Sequence, residues 1–258
     1  MSLMAKVREI YQFIDSFAPF GDALDFDNPG LLVGDGEQEV HTVLLSLDIT
    51  SPVVEEAVQK GAQLVVSHHP VIFAPLRRLE KGSAPWLLAA HGLSAICAHT
   101  NLDMAPETGV NVALAQALGL TDCRGICPHG SGFEAWLGDL PEALSPEAFA
   151  AHVKKSLGCE AVRYVPGHKA VKTVGMCSGA GADYLEATLE QGADAFVTGE
   201  VKHHQFLLAR ELGVTLVEAG HFHTENVVLP LLADRLVREF PQVTWHIAQS
   251  GQAPECIC

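Results

Sequence analysis

The sequence predicts an α/β protein of two similar lobes, with a dinuclear metal site in the cleft between them. Three observations lead there. A β-α-β unit is legible over residues 42–66, and a unit of the same order and spacing recurs over 173–197. Three apolar runs also end in a histidine with another metal-type ligand close behind. In open α/β sheets ligands bind at the carboxyl ends of strands, where these histidines fall.

The elements follow in order. Residues 42–47 form an apolar strand, and Asp48, Thr50 and Pro52 supply strand exit, helix cap and first helical residue. The helix covers 53–60 and stops at Gly61, and strand 63–66 leads to His68. In the second unit Thr173-Val174 lines up with Thr42-Val43, Glu186 with Glu55, and Gly192-Ala193 with Gly61-Ala62. Strand 195–197 then matches 64–66. The parallel continues through Gly92-x5-Ala98-His99 and Gly213-x5-Ala219-Gly220-His221. Turn residues Pro128, Gly130 and Gly132 within 125–138 place the boundary there, giving lobes 1–126 and 127–258. Helix 145–157 and strand 161–165 precede the second unit. Helix 226–239 and strand 243–248 close the chain, and whether that last strand returns to the first lobe stays open.

Sixteen Lys+Arg against 31 Asp+Glu give a formal charge of -15, which opposes binding to a nucleic-acid backbone or an anionic membrane. No apolar run is long enough to cross a bilayer, and residues 1–10 lack the basic start and apolar centre of a signal peptide. A cytoplasmic protein is expected. Met1-Ser2-Leu3 ahead of Met4 reads as an expression scar. Seven cysteines scattered through apolar segments fit thiols in a reducing compartment. Cys123 and Cys127 near His129, and the tail pair Cys256 and Cys258, read as ordinary thiols in preference to a zinc site.

The candidate metal residues lie in Ser67-His68-His69-Pro70, in His99-Thr100-Asn101-Leu102-Asp103 and in Gly220-His221-Phe222-His223-Thr224-Glu225. Pro70 ends regular pairing, so the adjacent His68 and His69 leave the strand and can reach neighbouring ions. His221 and Glu225 share a face if a helix starts at Gly220, which leaves His223 off that face. Asp103 suits a ligand because a carboxylate offsets the ions' charge, while His99 either binds metal or orients a ligand. Pro106 and the turn chemistry of Asn101 argue against a full helix there. Gly179-Ala180-Gly181 is open to two readings, a phosphate cradle or a tight turn without ligand. Glu200 and His204 either line the same cleft or cap a helix.

These motifs, with Asp27-Asn28-Pro29-Gly30-Leu31 and Thr198-Gly199-Glu200, resemble the GTP cyclohydrolase type 2 homologues, the family of the yeast NGG-interacting factor, in its short bacterial form. The resemblance covers nearly the whole chain. It implies that His68 and Asp103 hold one ion, that His69 and His221 hold the other, and that Glu225 bridges them, with His99 close by. It further implies divalent metals such as Zn, Fe, Mn or Ni and a homohexamer whose sites face an internal cavity. Where many members carry Gly-x-Gly-Arg, this chain has Gly130-Ser131-Gly132-Phe133.

A metal-dependent hydrolase, cyclohydrolase-like, is the first expectation, with His99, Glu200 and His204 as acid-base candidates. The alternatives are a metal-trafficking or cofactor-assembly protein and a regulatory scaffold, both without turnover. Nothing in the sequence names the small-molecule substrate.

Overall fold

The computed structural model describes residues 4–254 and Cys256, so Met1-Ser2-Leu3 and Cys258 lie outside the described residues. β1 (Ala5–Lys6) runs into α1 (Val7–Phe17), whose Val7, Ile10, Ile14 and Phe17 recur at helical spacing and are buried. β2 (Gly30–Val33) and β3 (Glu39–Val40) precede the first β-α-β unit, made of β4 (Thr42–Ser46), α2 (Ser51–Gln59) and β5 (Leu64–Ser67). Next come α3 (Ala84–Ala90), β6 (Ser94–Cys97), α4 (Thr100–Met104) and α5 (Val110–Ala117). β7 (Thr121–His129) and β8 (Gly132–Leu144) form a long hairpin. α6 (Pro146–Leu157) and β9 (Arg163–Val165) lead to β10 (Val171–Met176), α7 (Leu185–Glu190), β11 (Ala195–Thr198), α8 (His203–Leu212) and β12 (Thr215–Glu218). α9 (His221–Glu225), α10 (Val228–Glu239) and β13 (Thr244–Ile247) complete the order.

Two compact units result. The first runs to Leu102 and takes in Leu229–Gln252; the second is Asp103–Val228. The division expected at 126/127 is therefore not where the units part. Pro128, Gly130 and Gly132 mark the tip of the β7–β8 hairpin inside the second unit, and a tight turn and a linker share that composition.

In the first unit the sheet order is β13-β4-β5-β6-β2, with β4, β5 and β6 parallel and β2 antiparallel to β6. The second unit's sheet is β7-β8-β10-β11-β12-β9, with β10, β11 and β12 parallel and β9 antiparallel to β12. Each unit thus holds three parallel strands in sequence order, flanked beyond the third by the antiparallel strand that precedes them in the chain. That shared topology matches the repeat seen in the sequence. On the far side the two differ: β13 pairs in parallel with β4, whereas β8 pairs antiparallel with β10. The last strand does return to the first sheet.

Local chemistry accounts for the ends. Thr50 is extended ahead of α2 with Pro52 in the first turn, although its side chain makes no capping bond, and Gly61 follows at φ +67. Ser145 caps α6 by accepting from the Ala148 amide. The segment at 100–104, where a helix looked doubtful, forms the single turn α4. It is too short for Pro106 to disturb.

Leu44, Val53, Val54, Ala57, Val65 and Leu88 pack as a core in the first unit. In the second, Leu114, Phe149, Val153, Val174 and Val197 pack on one side, and Phe196, Leu185 and Leu216 on the other. Among the described residues no helix is long and apolar enough to cross a membrane.

Candidate metal centre

In the first unit the strand ends carry three imidazoles. β5 stops at Ser67, but the His68 and His69 amides still donate to the Ser46 and Leu47 carbonyls, which holds both residues beside the end of β4. Their ring centroids lie 5.0 Å apart, and the His99 ring, just past β6, stands 5.2 Å from His68 and 5.4 Å from His69. One ring nitrogen from each falls within 4.8 Å of the others. The pair does not diverge to opposite faces, because the strand has ended before the side chains project.

Each ring is held by its Nδ1. His68 donates to the Ala98 carbonyl at 2.9 Å, His69 to Asp48 at 2.8 Å and His99 to Asp27 at 2.7 Å. Carbonyls and ionised carboxylates only accept, so Nδ1 carries the proton and Nε2 is the nitrogen that could bind a metal ion or take up a proton. Asp27 also accepts from the Thr100 amide and hydroxyl. Burial opposes its ionisation, but the hydrogen bonds from His99 and Thr100 outweigh that and hold its carboxyl down at about 2.

The second unit carries its own candidates, two carboxylates and one imidazole. Gly220, at φ +86, opens α9, and His221 and Glu225 share a face of its turn with Nε2 and Oε2 3.0 Å apart. His221 donates its Nδ1 proton to Glu200 at 2.7 Å. Asp103, on α4, accepts from Ser178 at 3.2 Å, and the Ser178 amide is in turn held by Asn111. An oxygen of Asp103 and one of Glu225 lie within 4.8 Å of each other, and Glu225 is only 3 % exposed. Two carboxylates that close, one of them buried, repel unless a cation or proton lies with them. A divalent cation with nitrogen and oxygen ligands fits this donor set.

Backbone geometry brings the carboxylate in. At Gly179, φ +57, a Cβ would come within 2.2 Å of Glu225 Oε1, so only glycine allows the approach. The Gly179 amide donates to Thr224 and the Gly181 amide to Thr198, so both bind within the protein. That engagement is the one a tight turn makes.

The motif model for Duf34/NIF3, NGG1p interacting factor 3, matches residues 5–254. The chain belongs to this family. A relative from Clostridium acetobutylicum named "GTP cyclohydrolase 1 type 2 homolog" is 29% identical over 240 residues, covering 90% of this chain and 89% of that one. One of the same name from Campylobacter jejuni is 31% identical, covering 90% and 92%. The crystal structure of a Staphylococcus aureus hypothetical protein superposes with a TM-score of 0.92 at 29% identity, covering 98% of this chain and 99% of that one.

In this Duf34/NIF3 protein the remaining candidates fall as follows. Glu200 is the partner of His221 Nδ1, and His204 is exposed at the second position of α8. His223 is half-buried, with its ring 5.7 Å from that of Phe222. Phe133 packs over Gly125, where a Cβ would meet its ring at 2.1 Å. Burial first, then Asp122 and Asp139, push the Cys123 thiol up, and burial with Glu134 does the same to Cys127. Sequence reasoning missed Asp48, Asp27 and Ser178 as holders of ligands. For Asp48 and Ser178 an acid or hydroxyl just past a strand was the only signal, and Asp27, in the turn ahead of β2, gave none; such residues are common in turns.

Proposed function

We propose that the protein is a dinuclear metal-dependent hydrolase of the cytoplasm. In this reading His68 and Asp103 would hold one divalent ion, His69 and His221 would hold the other, and Glu225 would serve both. The observation that carries it is the donor set: a buried carboxylate beside a second carboxylate, and four imidazoles whose Nδ1 atoms are all engaged by acceptors. Divalent ions there would lower the pKa of a bound water and polarise the bond to be cut.

The chain's own residues supply the rest. Asp103 and Glu225 offset the positive charge, Glu200 and Asp48 orient His221 and His69, and Asp27 orients His99. His99 is the proton carrier of choice, because an ionised Asp27 behind its Nδ1 leaves Nε2 to accept a proton. The names of the relatives make a purine nucleotide such as GTP the first substrate to try. A homohexamer is part of the proposal and is checked by light scattering.

The test is elemental analysis after loading with Zn, Fe, Mn or Ni, joined to a screen of nucleotides and cyclic amides. Two ions per chain and a turnover lost in His69→Ala are expected. One ion at saturation would end the dinuclear reading. Transfer of metal to an apo-acceptor with no turnover across the screen would end the hydrolase reading.

A further inference from the structure

Between β5 and α3 the first unit carries an irregular segment whose residues 73–82 are all exposed. It is anchored at both ends: the Asn28 side chain donates to the Ile72 carbonyl at 2.6 Å, and the Ser51 hydroxyl donates to the Gly82 carbonyl. Phe73 is 52% exposed and lies 6.4 Å, ring to ring, from Phe26, itself 63% exposed. Two aromatic rings left in water side by side forgo the burial that normally stabilises them. Phe73 is also edge-to-face with His99, at 6.3 Å and 78°, so the exposed pair borders the imidazole trio.

Charge adds a second, independent observation. The chain is strongly acidic at -15, yet residues 70–83 contain Arg77, Arg78 and Lys81 against the single acid Glu80. Arg78 is drawn to Glu80 at 3.0 Å, whereas Arg77 has no ion pair among the described residues. A basic stretch beside exposed rings is complementary to a ligand that is flat, unsaturated and negatively charged.

We propose that Phe73, backed by Phe26, is the specificity-determining wall of the His68, His69 and His99 site, and that it stacks on a planar heteroaromatic ring whose negative charge is met by Arg77. This deepens the metal-site reading and rests on it. Neither phenylalanine bears a ligand atom, so both act in binding and not in the chemistry. Stacking of a base on an aromatic side chain contributes about 1–3 kcal/mol, or roughly 5- to 150-fold in affinity.

The experiment is equilibrium dialysis of metal-loaded protein with three probes, GTP, guanosine and inorganic tripolyphosphate, with metal content and molecular mass measured on every sample. Phe73→Ala should weaken GTP and guanosine by about tenfold or more and leave tripolyphosphate unchanged, and Phe73→Trp should restore both. Arg77→Ala should weaken GTP and tripolyphosphate and spare guanosine. Equal guanosine binding in wild type and Phe73→Ala, or no binding of any probe at millimolar concentration, overturns the inference. So does a fall in molecular mass in Phe26→Ala or Phe73→Ala with binding intact, which would assign the rings to a contact with a second copy. Metal content reports on the underlying metal reading separately, since its failure appears as absent ions whatever the probes do.

Discussion

His99 Nδ1 stands 2.7 Å from Asp27 Oδ1, and the other oxygen of the same carboxylate takes the amide and hydroxyl of Thr100. Asp27 therefore ties the ring to the first turn after β6 and fixes its tautomer. Replacing it by Asn keeps the shape and removes the charge. Asp27→Asn should lower turnover by the metal-loaded protein by about 100-fold or more, with metal content and fold intact. Steady-state rates, alongside metal analysis and circular dichroism, measure this, and an unchanged rate would leave Asp27 a purely structural residue.

Glu225 and His223 lie in one turn of helix, but only Glu225 shares the face of His221. Glu225→Gln should reduce metal stoichiometry sharply, and His223→Ala should leave it near the wild-type value. Because both changes sit in α9, general destabilisation is controlled for. Equal loss in the two variants would contradict the bridging role.

Gly179→Ala places a methyl group where Glu225 Oε1 now lies and forces a left-handed backbone on alanine. The backbone alone costs about 1–2 kcal/mol. The variant should melt earlier and bind metal more weakly, and Gly192→Ala, at φ +95 with nothing within 4 Å, is the control for backbone strain without a clash. Identical metal binding in the two would remove the close-approach argument.

Glu56, on α2, accepts from the Gln249 and Ser250 amides and the Ser250 hydroxyl, clamping the chain just past β13. Burial opposes its ionisation, but these bonds prevail and hold its carboxyl below the usual 4.5. A lowered folded-state pKa contributes stability above pH 4.5 that is lost as the pH falls through the folded value. Glu56→Gln should cost about 1–2 kcal/mol at pH 7 and progressively less as the pH falls below 4.5. Thermal melts of metal-free protein across that range test it, and a constant difference would reject the linkage.

What the sequence by itself determined is local: the strand-helix-strand periodicity of 42–66 and its echo at 173–197, and histidines just past strand ends. Those signals depend on side-chain alternation, caps and glycine stops within a few residues, all of which are written in the chain. The turn at His221 was legible for the same reason, since a separation of four defines a helical face. Only the tertiary structure decided what holds the histidines. Asp27 meets His99 across 72 positions, and Asp48 and Glu200 meet His69 and His221 across 21 each. Such pairings follow from which strands lie side by side and in what register, and no local pattern encodes that. The same applies to the unit boundary, where a hairpin tip and a linker share one composition, and to β13, whose place beside β4 is set by the open edge of the first sheet.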